Sequence, residues 1–155
     1  MKQLRPILIL VAALVCPALL AGTDFSGTWR LNAEDSDFGM FPAPEKMTYH
    51  ISHETSKLIV AWDFTGSRGE MNGKATYCTD GTEVTNTFGK LALTSRAHWD
   101  GDVLKVKMWG NSGGESFVFK DTFTLETPSR LRVKRFVDGP GGTVKQIMVF
   151  DRISN

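Results

Sequence analysis

The residues in this sequence best placed to do chemistry are an acid, a base and an amide that strand pairing would bring into one row. A hairpin turning at Thr127-Pro128-Ser129 puts Asp121 opposite Arg135, and one turning around Pro140 and Gly141 puts Arg135 opposite Gln146. Asp121 lies two residues from both Phe119 and Phe123, so the alternation that points those rings inward points the carboxylate inward too. A buried carboxylate without a charged or multiply hydrogen-bonded partner costs several kcal/mol, and Arg135 would offset that cost. Held in this way, Arg135 could contact an acidic or carbonyl group of a ligand whose apolar body lies among the phenylalanines. The competing readings are a purely structural ion pair, or a register shift that places both residues in water.

Other chemistries find little support. His50 and His53 are three apart on a strand and face opposite sides, so they cannot share a metal without a bulge, and His98 stands alone beside Trp99. Ser52 lies near two histidines but lacks the sharp glycine-flanked turn that exposes a nucleophile, and no acid is assignable as a third partner. The glycine-rich runs from Asn111 to Gly114 and from Asp138 to Gly142 link strands instead of opening a helix, so they read as turns and not phosphate cradles. No catalytic residue, metal or cofactor is expected, and the chain reads as a non-enzyme.

The elements that must position the row follow from a hydrophobic period of two broken by turn residues. Ten strands are predicted: Phe25 to Leu31, Met47 to His53, Lys57 to Phe64, Glu70 to Cys78, Glu83 to Phe88, Leu91 to Trp99, Val103 to Trp109, Glu115 to Leu125, Arg130 to Val137 and Thr143 to Ile153. Short connections such as Asp80-Gly81 and Asp100-Gly101 make successive strands antiparallel neighbours, which gives a meander. The segment from Asn32 to Lys46, with Pro42 and Pro44, reads as a long loop with room for one helical turn. Its Phe38, Met40 and Phe41 are placed to act as a lid or as a plug. Taking the more apolar face of each strand as the inner one puts Leu58, Val60, Trp62 and Phe64 inside. Met71, Ala75 and Tyr77 follow, then Leu104, Val106 and Met108, then Phe117, Phe119, Phe123 and Leu125.

Residues 1–22 read as a cleaved signal peptide: Lys2 and Arg5 precede an apolar run from Ile7 to Val15, and small residues surround Ala21. That run is shorter than the roughly 20 residues of a membrane span. Val15 before Cys16 and Pro17 after it do not match a lipidation box. Residues 23–155 are expected to form one secreted or periplasmic domain, with Cys78 as its only thiol and therefore no internal disulfide. Losing Lys2 and Arg5 takes the formal charge from +1 to −1, a balance that implies neither a nucleic-acid partner nor an anionic membrane.

Gly27-Thr28-Trp29 on the first strand, followed by this meander, resembles the lipocalin and fatty-acid-binding-protein group of calycin barrels. It looks most like the small secreted lipocalin-like domains of bacteria. The resemblance implies that Gly27 and Trp29 close the barrel base and that Arg152 packs across the indole. The chain departs from the fatty-acid-binding proteins in two respects: it has no helical pair after the first strand, and Met148-Val149-Phe150 stands where their last strand resembles Arg-x-Tyr. A fatty-acid function is therefore not carried over. The expected architecture is a single all-β antiparallel up-and-down barrel of about 8–10 strands binding a small apolar or amphipathic molecule in its interior. Its candidate contacts are Trp62, Phe64, Tyr77, Met108, Phe117, Phe119, Asp121, Phe123, Arg135 and Gln146. The alternative is a non-catalytic structural or protein-interaction module of the cell envelope whose barrel is filled by its own side chains.

Overall fold

The computed structural model describes residues 23–154. The signal-peptide reading and Cys16 lie outside the described residues. Ten strands form one sheet: β1 Gly27–Asp37, β2 Lys46–Glu54, β3 Lys57–Gly66, β4 Gly69–Cys78, β5 Val84–Phe88, β6 Leu91–Asp100, β7 Val103–Ser112, β8 Glu115–Thr127, β9 Arg130–Gly139 and β10 Gly142–Ser154. Their order is β4-β3-β2-β1-β10-β9-β8-β7-β6-β5, so every hairpin joins neighbours and β1 closes onto β10. This is the expected antiparallel meander barrel. Alternate residues supply its core, among them Leu58, Val60, Ala75, Leu104, Val106, Met108, Phe123, Leu131, Val133 and Phe150.

One expectation is corrected. The segment from Asn32 onward does not open into a long loop: β1 continues to Asp37, and the connection shrinks to residues 38–45 with no helical turn. A bulge between Asn32 and Asp37 absorbs the polar run while Asp37 remains paired with Ile147. Within the bulge the Ser36 hydroxyl accepts from Val149 N at 2.9 Å and donates to Asn32 O at 2.6 Å, standing in for a ladder bond.

The two edges of the sheet, β4 and β5, meet through a side chain. Thr76 N donates to Asn86 Oδ1 at 2.7 Å and Asn86 Nδ2 donates back to Thr76 O at 2.9 Å, so the amide reproduces the paired bonds of a backbone ladder. Asn86 is buried and also donates to Ser95 Oγ at 3.2 Å, and Ser95 Oγ donates to Val84 O at 2.9 Å. The polar groups of the seam thereby find partners within the protein.

The end of the barrel where β1 begins is aromatic. Phe25 and Trp29 are fully buried, and Trp29 Nε1 donates to Phe25 O at 2.9 Å. Phe25 stacks against Trp99 with centroids 5.8 Å apart and against His53 at 5.9 Å. The Arg152 guanidinium lies 4.1 Å from the Trp29 ring centroid and donates to Pro128 O at 2.8 Å. Gly27 has φ +133°, and a Cβ there would come within 2.8 Å of both Arg152 Nη1 and Ser154 O, so the position demands glycine.

His53 links this base to solution pH. Phe25 N donates to His53 Nδ1 at 3.4 Å, which requires that nitrogen to be unprotonated. Burial lowers the imidazole pKa, and the Asp24 carboxylate 3.7 Å away opposes that shift only in part. Because the folded value lies below the unfolded one, the unfolded chain takes up the proton first as pH falls.

Two outcomes are expected. Asn86→Ala leaves the N–H and C=O of Thr76 without partners and should lower unfolding free energy by about 2 kcal/mol in urea titration, with faster amide exchange at Thr76. Between about pH 7.5 and about pH 5 the thermal midpoint should fall, and His53→Gln, which keeps an acceptor but cannot be protonated, should flatten that slope.

Candidate functional site

The opposite end of the barrel is open above a cavity of about 620 Å³. Its wall is mostly apolar and draws on most strands: Val60, Trp62 and Phe64 from β3, Phe88 from β5, Met108 from β7, Phe119 and Phe123 from β8. Inward alternation explains these positions, since each lies an even number of residues from another buried residue on its own strand. Trp62 stands between Phe88, at 5.4 Å between ring centroids, and Gly73 of β4. A Cβ at Gly73 would lie 2.3 Å from Trp62 Cζ2, so the missing side chain is what lets the indole lie against β4.

The polar row forms in the expected register, with Asp121 paired to Arg135 and Arg135 paired to Gln146 across β8, β9 and β10. Arg135 Nε donates to Asp121 Oδ1 at 2.9 Å and Nη2 donates to Oδ2 at 2.6 Å, a two-pronged contact. The Asp121 side chain has no solvent exposure, whereas Arg135 keeps 26% of its side-chain surface open and lines the cavity. Burial alone would lower the guanidinium pKa, but the Asp121 charge and its hydrogen bonds outweigh it and the net shift is upward, so the group stays charged. Tyr49 and Tyr77 also line the cavity. Burial raises both phenol pKa values, the nearby Asp121 charge adds to the rise, and Arg135 opposes it. Both therefore remain protonated, and Tyr77 Oη donates to Met108 Sδ at 3.5 Å.

Of the ten candidate contacts, Trp62, Phe64, Tyr77, Met108, Phe119, Phe123, Arg135 and Gln146 meet on one cavity wall. Phe117 and Asp121 do not reach it. Phe117 is half-buried against Gly139 at the strand ends, and Asp121 is covered by Arg135. Met71, assigned to the interior, lies at the cavity mouth and is 58% exposed. Sequence reasoning missed Tyr49, which stacks on Phe150 at 4.4 Å, together with Phe88, Leu93 and Met148. For Tyr49 the signal was present, because Met47, Tyr49 and Ile51 alternate along β2 and all are buried. Phe38 and Phe41 contribute to the wall near the mouth, and Gln146 Nε2 donates to Phe38 O at 3.5 Å.

No family model matches the chain, and no curated protein matches it in sequence. Solved structures do match in fold. The zebrafish ileal bile acid-binding protein complexed with cholic acid is 12% identical with a TM-score of 0.57, over 83% of this chain and 98% of that one. A secretory abundant heat soluble protein from Ramazzottius varieornatus is 14% identical with a TM-score of 0.60, over 83% and 94%. Human cRBP IV is 20% identical with a TM-score of 0.53, over 84% and 98%. At these identities the likeness is one of fold: the same kind of antiparallel β-barrel.

The geometry makes the ion pair a unit. Arg135→Leu leaves the buried Asp121 carboxylate without its cation and should destabilise the protein by about 3–5 kcal/mol. Combining it with Asp121→Asn should recover part of that loss, a non-additivity measurable by urea titration of the two single variants and the double variant.

Proposed function

We propose that this chain is a secreted or periplasmic, non-enzymatic binding protein that holds a small apolar or amphipathic molecule inside its barrel. The observation that carries the reading is the open interior: a cavity of about 620 Å³, aromatic and aliphatic on most sides, lined in addition by the Arg135 guanidinium and the Gln146 amide, with Arg68 at its mouth. A few convergent polar groups in an otherwise apolar concavity are the usual composition of a small-molecule site. The space also favours binding over a structural barrel filled by its own side chains. The cholic acid complex of the zebrafish protein shows that a barrel of this fold can hold an amphipathic molecule. The leader-like composition of residues 1–22 supports export.

Native mass spectrometry of the protein purified gently from its own compartment tests the reading. The expected result is a mature chain beginning near Thr23 or Asp24 that carries a reproducible non-covalent mass released on denaturation. Val60→Phe, which places extra volume in the cavity, should fold and lose that mass. A wild-type protein that carries none and takes up no added apolar compound would sink the interior-binding reading, and an unprocessed N-terminus would sink export.

A further inference from the structure

A guanidinium facing an apolar cavity suggests an anionic ligand, but the charge of this one is already matched. Asp121 takes Nε and Nη2 of Arg135 with both of its oxygens and is wholly shut off from water. The pair is neutral as a unit, and only its arginine reaches the cavity. Arg135 keeps 26% of its side chain open and lines the cavity, and the N–H donors that Asp121 does not take lie beside the Tyr49 hydroxyl and the cavity. The other polar side chains deep in the wall are the protonated Tyr49 and Tyr77 hydroxyls and the Gln146 amide, all uncharged. Arg68, the other cation on the cavity lining, belongs to the exposed β3–β4 turn at the mouth.

A carboxylate brought to Arg135 would place two buried anions around one cation. It would give up its hydration for half-shared compensation and meet the field of Asp121 at low dielectric. A carbonyl or hydroxyl oxygen gives up far less hydration, accepts the same N–H, and leaves the ion pair undisturbed. We infer that the inner end of the cavity selects ligands whose buried polar group is a neutral hydrogen-bond acceptor, a ketone, ester, amide or alcohol oxygen, and discriminates against carboxylates. Asp121 is the residue that sets this selectivity, acting through Arg135 and not by contact. The inference rests on the interior-binding reading and deepens it.

Dodecan-1-ol and dodecanoate, which share an alkyl chain and differ at the head, make the test by titration calorimetry on the mature protein. At about pH 7.5 the alcohol should bind about tenfold or more tightly than the carboxylate. Asp121→Asn, which removes the anion and frees the guanidinium charge, should abolish the preference for the alcohol, strengthening the carboxylate by about tenfold or more while leaving the alcohol within about threefold. If that variant fails to fold, the wild type gives an independent readout. Lowering pH toward the carboxylic acid's own pKa should tighten dodecanoate binding as the neutral acid forms. The alcohol serves at each pH as the control for the titratable groups on the lining, Arg68, Tyr49, Tyr77 and Arg135 with its partner Asp121. Equal or tighter binding of dodecanoate by the wild type at about pH 7.5 overturns the neutral-head inference and leaves interior binding standing. Absence of binding by both probes overturns the interior-binding reading itself, and the inference falls with it.

Discussion

The Asp121 side chain has no exposed surface, so its charge calls for a cation at one place on the neighbouring strand. Arg135 meets that need only in the register in which β8 and β9 pair at these two residues. A slip by one position would carry Asp121 outward, and with it Phe119 and Phe123, leaving the apolar rings in water. The ion pair and the apolar alternation thus specify the same register twice, once by the cost of an unpaired buried charge and once by area removed from water. The same row extends to Gln146 on β10, so three strands share the constraint.

The rest of the barrel divides its two ends by what fills them. At the base, Phe25, Trp99 and His53 stack on one another beside the fully buried Trp29, and Arg152 covers the Trp29 indole while capping backbone oxygens of Ser26 and Pro128. Toward the mouth the same sheet carries Trp62, Phe64 and Phe119 on strands that no longer converge on a plug, and the interior stays open. Between the ends, the sheet has to resolve its two edges, because unpaired strand edges are a liability in any open sheet. The short β5 offers only five residues for the purpose, and Asn86 uses its side chain to pair with Thr76 where the backbones do not form a ladder.

How far the sequence reveals this depends on how local each determinant is. Hairpins are local: turn residues near Pro128 and Pro140 fix which positions face one another, so the ten strands, their order and the Asp121–Arg135–Gln146 row follow from spacing alone. The continuation of β1 is not local. Its Asn-Ala-Glu-Asp-Ser-Asp run has loop composition, and the pairing that keeps it in the sheet comes from β10, more than 100 residues away, through the Ser36 hydroxyl. Asn86 is hidden for a similar reason, since β4 and β5 are edges brought together by closure of the whole sheet. The cavity fails to show for a different reason. Period two tells which face a side chain takes but not its height along the barrel axis, so Phe117 and Phe119 look equivalent in sequence, yet only Phe119 reaches the cavity.

Height along the axis also bears on whether Asp121 and Arg135 form a structural pair or a recognition group, two roles that look exclusive when only the sequence is in view. Asp121 lies wholly beneath the wall and Arg135 lies partly on it, so the same contact that satisfies the buried carboxylate determines what the cavity meets. An arginine without that partner would present a full charge to an apolar chamber, a cost that an anionic ligand would offset. With Asp121 in place the chamber is electrically balanced while empty, and the protein can fold before any ligand arrives. Recognition is then left to directed N–H donors. Their energy depends on geometry more than on charge, and it falls to that of a water contact when the ligand offers no acceptor at that depth.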